Sequence, residues 1–427
     1  MTTPAPRAFA TAVRGDEWPL AVVLAEGLAQ HHRGATLHVL LLDGHGESQP
    51  GLQITVHSPE AAGLDPEFLA LLHLTASPTD MRMAVVPAFL VHLLGGPAPG
   101  GVTYLAPDTM VVAPLAHDQV TGIAMVPRFT AMPPDDGRTP TPDDLLAMSV
   151  FDDGFIMAGP DARDGLAAIA TAMDVRALAT AGMPSRTWDL LSTAARTTTI
   201  EDPSLGVAYW NADRRVGPIT TLRLPGLDAA EPHLLSRDQG LHPRVLLSER
   251  PDLQALVRRR IDDLVRHGLD GDAPAPHLGT LVIDDAVRAA CRSALHDGYE
   301  GAGTLMDLAG DPSGEALATW LAGPAPGTRD IRVSRYLLGV WATDTHANAA
   351  FPYPLELHSD RFLDWVHEAR HGLSVPARFL PPAELDRDQD ARTSRGGRTS
   401  MEQGVNLIGF LRAGFGQGEA ARLMHEA

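Results

Sequence analysis

One carboxylate in this sequence occupies a position where chemistry is common. Asp108 follows the apolar segment 102–105 and the turn residues Ala106-Pro107. This pattern predicts a β-strand that ends in a tight turn with Asp108 at its tip. In an α/β protein, side chains at the carboxyl end of a strand face the crevice where ligands bind. Asp108 is therefore a candidate ligand contact, and stabilisation of the turn is the alternative.

Other polar residues lie at the ends of predicted strands. Thr11 lies near the end of a predicted strand at 8–13, and Asp43 follows an apolar strand at 37–42. Asp152 stands at the beginning of a predicted strand at 151–158. Each of these residues is a candidate ligand contact, and stabilisation of a turn is the alternative for Asp43 and Asp152.

The elements that position these residues alternate between strand and helix signals along the first half of the chain. This alternation predicts an α/β domain at residues 1–245, with a mostly parallel sheet and helices on both faces. Helical spacing then dominates residues 246–374, which we expect to form a helical subdomain. The polar, Pro- and Arg-containing segment 375–403 is typical of a linker, and 404–427 predicts a terminal βα unit.

Composition excludes several classes of function. The chain has 427 residues and a net charge of −19, which argues against a nucleic-acid binder or a protein held on anionic lipid. It contains no lysine, so Schiff-base chemistry and lysine nucleophiles are excluded. The single cysteine, Cys291, excludes an internal disulfide. No secretory signal and no integral membrane segment are predicted, and we expect a cytoplasmic protein.

Several motifs together resemble bacterial nucleotide-sugar glycosyltransferases of the GT-A type. Tyr104-Leu105-Ala106-Pro107-Asp108 resembles the Tyr-Leu-Asp-Pro-Asp stretch of that family, and Gly206-Val207-Ala208-Tyr209-Trp210-Asn211 resembles its Asn-Val-Ala-Tyr-Trp-Asn stretch. Three further segments also resemble it: 151–155 is similar to Phe-Asn-x-Gly-Phe, 222–228 lies where the family has Phe-His-Phe-Ser-Gly-Phe-Asp, and 405–422 resembles the opening of a GT-B-type glycosyltransferase domain. The resemblance implies a GT-A-like, Rossmann-like fold.

The departures from the family fall on its metal ligands. The resemblance implies two Asp and one His around a divalent cation, but this chain has Ala106, Asp108 and Arg223 at those positions. One carboxylate alone holds a hard cation weakly. A guanidinium is always charged and its fork of donors fits phosphate oxygens. We therefore expect no required cofactor, or weak Mn²⁺ or Mg²⁺ binding at Asp108, with Arg223 as the group that holds the donor diphosphate.

Two functional hypotheses remain open. The first is an enzyme that transfers a hexose from a UDP- or GDP-linked sugar to a carbohydrate or natural-product acceptor. Asp108 and Arg223 would be its catalytic residues, with Thr11, Asp43 and Asp152 at the nucleotide sugar and the backbone of Gly154 and Gly226 along the sugar. Glu201 and Asp202 are candidate general bases for the acceptor hydroxyl. The second hypothesis is an inactive homologue that binds a partner glycosyltransferase or assembles as a homo-oligomer.

Overall fold

The sequence folds around a seven-stranded sheet. The computed structural model describes residues 8–380, except for 48, 117–119, 181–185, 187, 191–193, 216, 241, 270–274, 297–298, 328–331 and 374. The predicted βα unit at 404–427, with its GT-B-like motif, and most of the predicted linker at 375–403 lie outside the described residues. The predicted α/β and helical regions both belong to one compact unit, Met1–Leu380.

The strands are short, and most of them are buried. They are β1 (Ala8–Val13), β2 (Thr36–Leu41), β3 (Ile54–His57), β4 (Val102–Leu105), β5 (Thr109–Val111), β6 (Ile123–Pro127), β7 (Phe151–Ala158), β8 (Thr197–Thr199), β9 (Thr221–Arg223), β10 (His277–Leu278) and β11 (Leu281–Val282). The central sheet has the order β3-β2-β1-β4-β7-β6-β8. All neighbouring pairs are parallel except β4–β7 and β6–β7, which are antiparallel. The mixed α/β class and the mostly parallel sheet are therefore confirmed.

Helices connect the strands and dominate the chain after residue 250. They are α1 (Trp18–His31), α2 (Pro66–Thr75), α3 (Pro78–Gly95), α4 (Pro142–Ala147), α5 (Arg163–Ala172), α6 (Val175–Leu178), α7 (Pro251–Arg266), α8 (Asp285–Leu295), α9 (Tyr299–Ala309), α10 (Glu315–Ala322), α11 (Arg335–Thr343), α12 (Thr345–Ala350) and α13 (Ser359–Leu373). Several begin with Pro in the first turn, where the missing N–H costs nothing and the fixed φ favours the helix. Side-chain caps add to this, since Asp65 and Ser77 accept hydrogen bonds at the beginning of α2 and α3.

Both faces of the sheet are buried because side chains alternate along each strand. In β1, Ala10 and Ala12 pack into a hydrophobic cluster with α2, α3 and α5. Phe9 and Val13 point to the opposite face and pack against α1. The first cluster continues without a break into α8, α11 and α13, so the later helices share the core of the sheet.

The strand order also determines where a ligand site can lie. β2 and β3 extend the sheet on one side of β1, while β4 and β7 extend it on the other. The connections therefore diverge at the carboxyl ends of β1 and β4, which is the place where open α/β sheets bind ligands. Asp108 lies three residues beyond the end of β4.

Among the described residues, no helix combines the length and the apolar character that crossing a bilayer requires.

Candidate functional site

Three carboxylates surround one guanidinium at the end of β4. Asp108, Asp152 and Asp153, which we call the carboxylate cluster, all contact Arg223. Arg223 binds Asp108 with two parallel hydrogen bonds, from Nε to Oδ1 at 2.8 Å and from Nη2 to Oδ2 at 3.2 Å. Its Nη1 donates to Oδ1 of Asp152 and lies 3.5 Å from Oδ1 of Asp153. The guanidinium thus lies where a cation would balance three negative charges.

The pairing of short strands brings these residues together. β4 and β7 are antiparallel, with Leu105 opposite Phe155, so the beginning of β7 lies beside the end of β4. β5 and β9 are also antiparallel, with Thr109 opposite Arg223. Residues that are more than 100 positions apart in the sequence, such as Asp108 and Arg223, consequently meet at one point.

Because the cluster is largely buried, its charges must be neutralised by one another and not by water. The side chains of Asp152 and Arg223 are only 1% and 5% exposed, whereas that of Asp108 is 14% exposed. Burial alone would lower the pKa of Arg223, but the three carboxylates outweigh burial and raise that pKa well above its usual value. Arg223 therefore remains charged at every physiological pH.

The two neighbouring aspartates of the cluster differ in their environment. Burial raises the pKa of Asp152, and the adjacent charge of Asp153 adds to this effect, although Arg223 opposes it. Burial also acts to raise the pKa of Asp153, but Arg128 and Arg223 together reverse the shift and lower it. Arg128 reaches Asp153 at 3.2 Å. Oδ2 of Asp152 has no hydrogen-bond partner among the described residues, so Asp152 depends on Arg223 for its charge balance.

Gly154 serves the guanidinium directly. A methyl group built on Gly154 would overlap the Arg223 side chain, so only glycine allows this close approach. The backbone N–H of Gly154 also donates to Oδ1 of Asp152 at 3.0 Å. Gly154 was expected to lie along a donor sugar, but its observed contact is with Arg223.

The second cation of this region packs on an aromatic ring. The guanidinium carbon of Arg128 lies 4.6 Å from the ring centre of Trp210, a cation–π contact. Trp210 is buried, and its neighbour Asn211 holds the surrounding loop by donating to the carbonyls of Arg128 and Gly206 at 3.0 Å. The motif at 206–211 therefore holds Arg128, which in turn pairs with Asp153 of the carboxylate cluster.

A cavity of about 420 Å³ opens beside Asp108. Its wall contains Asp108 and Gly226, together with three arginines from separate parts of the fold: Arg82, Arg237 and Arg260. Arg223 is not among the lining residues. Its guanidinium was expected to face a bound diphosphate, but it contacts the buried carboxylates instead. Gly226 has φ +61°, a left-handed conformation that glycine adopts without strain, and this turn forms part of the rim.

The carboxylate cluster does not fit a divalent metal ion. Both oxygens of Asp108 accept hydrogen bonds from Arg223, whose guanidinium lies between the carboxylates. Ca²⁺, Mg²⁺ or Mn²⁺ requires several oxygen ligands that converge on one point. In the part of the chain that the structure describes, no group of three or more His, Cys, Asp or Glu side chains is arranged to hold a metal ion.

Asp43 and Thr11 lie apart from the cluster. Asp43 follows β2 and accepts a hydrogen bond from the backbone N–H of Gly15 at 2.6 Å. It lines a second cavity of about 330 Å³, together with Gly15, Asp16 and His73. Thr11 is fully buried within β1, where its side chain belongs to the sheet interior. The two cavities flank the short turn after β1, because Asp16 lines one and Glu17 lines the other.

Neither Glu201 nor Asp202, the candidate general bases from the sequence, lines the cavity beside Asp108. Asp202 accepts hydrogen bonds from the backbone N–H and the hydroxyl of Ser204 at 2.9 and 2.7 Å, which stabilises a turn. Asp238, which sequence reasoning missed, lines the cavity beside Asp108 and Gly226. The surrounding wall desolvates Asp238 and raises the pKa of its carboxyl group. A carboxylate with a raised pKa is a better proton acceptor than an ordinary surface aspartate.

Arg260 is the second residue that sequence reasoning missed. Its signal was available, because Leu253, Val257, Arg260 and Leu264 follow a helical spacing and all four are buried on one face of α7. A cation on the apolar face of a helix needs either a partner or a function.

Comparison with known proteins adds no assignment. No protein-family model matches the chain, and no curated protein is significantly similar to it.

Proposed function

We propose that the chain is a metal-independent glycosyltransferase that transfers a hexose from a UDP- or GDP-linked donor to a carbohydrate or natural-product acceptor. The observation that carries this proposal is the two-fold hydrogen-bonded pair of Asp108 and Arg223 at the end of β4, beside a cavity of about 420 Å³. This is the place in the sheet where open α/β proteins bind ligands. The resemblance of the surrounding motifs to GT-A-type glycosyltransferases supports the same function and a GT-A-like fold.

The cavity suits part of a nucleotide sugar. Small-molecule sites usually measure about 300–1,000 Å³, and this cavity lies within that range. Gly226, where a Cβ atom would crowd Ser236 and Asp238, forms part of the cavity rim. The second cavity, next to Asp43, would hold another part of the donor on the opposite side of the turn at Gly15.

Arg223 would replace a metal ion by neutralising a carboxylate. A donor diphosphate carries negative charge and would be repelled by an unpaired Asp108. The guanidinium of Arg223 neutralises the carboxylate of Asp108 from outside the cavity wall, much as a bound cation would. It would not contact the donor itself. The developing charge of the departing nucleoside diphosphate would then be stabilised by cations in the cavity wall.

The reaction requires one proton acceptor in addition. In the proposed step, the acceptor hydroxyl oxygen forms a bond to the anomeric carbon, the bond from that carbon to the diphosphate oxygen breaks, and the bonding electrons leave with the nucleoside diphosphate. Asp238 would take the proton of the hydroxyl, because it lies in the cavity wall and has a raised pKa.

Release of nucleoside diphosphate from UDP- and GDP-hexoses tests the proposal. We expect turnover in EDTA, increased by a mixture of carbohydrate acceptors, and reduced at least tenfold in Asp238→Asn. Asp213→Asn serves as the matched control, because Asp213 lies outside the cavity lining and pairs with Arg214 at 3.7 Å. No release above the rate of the empty buffer with either donor would count against an enzyme.

A second candidate function is a non-catalytic homologue that binds a partner glycosyltransferase or a second copy of the chain. The observation that favours it is the pairing of Asp108 with Arg223, because both oxygens of Asp108 already accept hydrogen bonds from this arginine. In that case the cluster would only stabilise the fold. Co-purification of a second glycosyltransferase, together with no donor turnover, would support this candidate.

A further inference from the structure

An arginine in the cavity wall carries a charge that the described residues do not balance by a direct ion pair. Arg260 is 1% exposed, and its Nη1 has no hydrogen-bond partner among the described residues. Its Nη2 donates to the carbonyl oxygen of Pro107 at 2.7 Å. A buried cation held by a neutral carbonyl is costly for the fold, because its desolvation is not compensated.

The two carboxylates that attract Arg260, Asp108 and Asp263, are already engaged by other arginines. Asp108 attracts Arg260 electrostatically, but both of its oxygens are bound by Arg223. Asp263 also attracts Arg260, and it pairs with Arg266 on the outer side of α7. Burial dominates over both attractions and lowers the pKa of Arg260 to about 10. Arg260 therefore remains a cation at neutral pH, while the two carboxylates that attract it are bound by Arg223 and Arg266.

Two further arginines stand in the same wall. Arg82 pairs with Glu17 at 3.0 Å, and Arg237 lies 3.7 Å from Asp228. They come from α3 and from the turn at 237–239, so three separate elements bring arginines to one cavity. Positive groups that converge from independent elements are typical of a site for phosphate oxygens.

We propose that Arg260 is the principal contact of an oxyanion site for the diphosphate of a nucleoside diphosphate or its sugar conjugate. The unpaired Nη1 supplies the hydrogen bond, and Arg82 and Arg237 flank the anion. The identity of the anion as a donor diphosphate rests on the proposed glycosyl transfer, whereas the anion site itself does not. Arg223 contributes indirectly, because it neutralises Asp108 and leaves the charge of Arg260 for the ligand.

Calorimetric titration with inorganic pyrophosphate, orthophosphate, UDP and GDP tests this site in EDTA. The variants are Arg260→Gln and the matched control Arg258→Gln, which removes an exposed arginine two residues earlier on the same helix. We expect wild type and Arg258→Gln to bind pyrophosphate and the nucleoside diphosphates, and Arg260→Gln to lose at least tenfold in affinity. Tighter binding of UDP or GDP than of orthophosphate would identify the diphosphate as the ligand. Orthophosphate binding as tight as UDP binding would overturn that identity.

Thermal melting separates a binding role from a structural one. Because Arg260 is buried without a paired carboxylate, Arg260→Gln should melt at or above the wild-type temperature when no anion is present. Equal pyrophosphate affinity in wild type and Arg260→Gln, or no binding by wild type, would overturn the inference. Arg260-dependent pyrophosphate binding without donor turnover would reject only the proposed transferase activity. Donor turnover that is unaffected in Arg260→Gln would reject only the oxyanion site.

Discussion

Removal of the Arg223 guanidinium should leave a buried aspartate without compensation. In Arg223→Met, Asp108 can be hydrated from the cavity and Asp153 keeps Arg128 at 3.2 Å. Asp152 keeps one hydrogen bond, from the backbone N–H of Gly154, and the electrostatic attraction of Arg128. The loss of stability therefore centres on Asp152, whose side chain is 1% exposed.

The size of this loss has a ceiling, because Asp152 can take up a proton instead of remaining charged. Protonation at pH 7 of a group with an ordinary pKa of 3.8 costs about 4 kcal/mol, at about 1.4 kcal/mol per pH unit. Burial already raises the pKa of Asp152 in the wild type, so part of this cost is already present. We expect Arg223→Met to lose about 2–4 kcal/mol in the free energy of unfolding at pH 7.

The loss should depend on pH in a defined direction. In the variant, the folded state holds a proton on Asp152 that the unfolded state has released, so stability falls as pH rises above the ordinary pKa. The deficit relative to wild type should therefore shrink by about 1.4 kcal/mol for each pH unit between 7 and 5. The second substitution Asp152→Asn, made in the Arg223→Met background, should recover most of the deficit at pH 7.

Urea unfolding at pH 5, 6 and 7 measures these values, because the free energy of unfolding falls linearly with denaturant. Arg214→Met is the matched control. Arg214 lies 3.7 Å from Asp213 at the surface, and its loss should cost about 0–1 kcal/mol without the same pH dependence. A deficit below about 1 kcal/mol for Arg223→Met, or one equal at pH 5 and 7, would refute the view that Arg223 balances a buried carboxylate.

Three other predictions concern Gly154, His57 and Cys291. Gly154→Ala should displace Arg223 and destabilise the protein about as much as Arg223→Met in urea unfolding. The control Gly303→Ala has open space at its Cβ inside α9 and should be neutral or stabilise by up to about 1 kcal/mol. Burial, with the neighbouring imidazoles, lowers the pKa of His57 to about 4, so the folded state resists protonation of His57. The wild type should therefore lose more stability than His57→Gln as pH falls from 7 to 5, and equal losses would contradict this. Burial raises the pKa of Cys291 to about 12, so iodoacetamide at pH 8 should modify it only after denaturation, and rapid modification of the native protein would show that the thiol is accessible.

Sequence patterns predicted the long, regular parts of the fold well. The strands at 8–13, 102–105 and 151–158 have the predicted bounds, because apolar, β-branched runs bounded by turn residues are strong local signals. The three-residue strands β8 and β9 carried no local signal, since a pairing of that length depends on the partner strand.

The candidate site was only partly visible in the sequence for the same reason. Asp108 was found from its place after β4, and Arg223 from a motif. Their pairing depends on β9, and the meeting with Asp152 depends on the antiparallel contact of β4 and β7. Arg260 could have been singled out as a cation on the apolar face of α7, whereas its distance to the turn at Pro107 could not be read from any local pattern.

Calorimetric titration of the wild-type protein with UDP- and GDP-linked hexoses in EDTA tests the central claim most directly. If a guanidinium has taken the place of a metal ion beside the donor site, one of these donors binds saturably in EDTA and added Mn²⁺ leaves its affinity unchanged. Absence of binding at millimolar donor, or binding that requires Mn²⁺, would contradict the account.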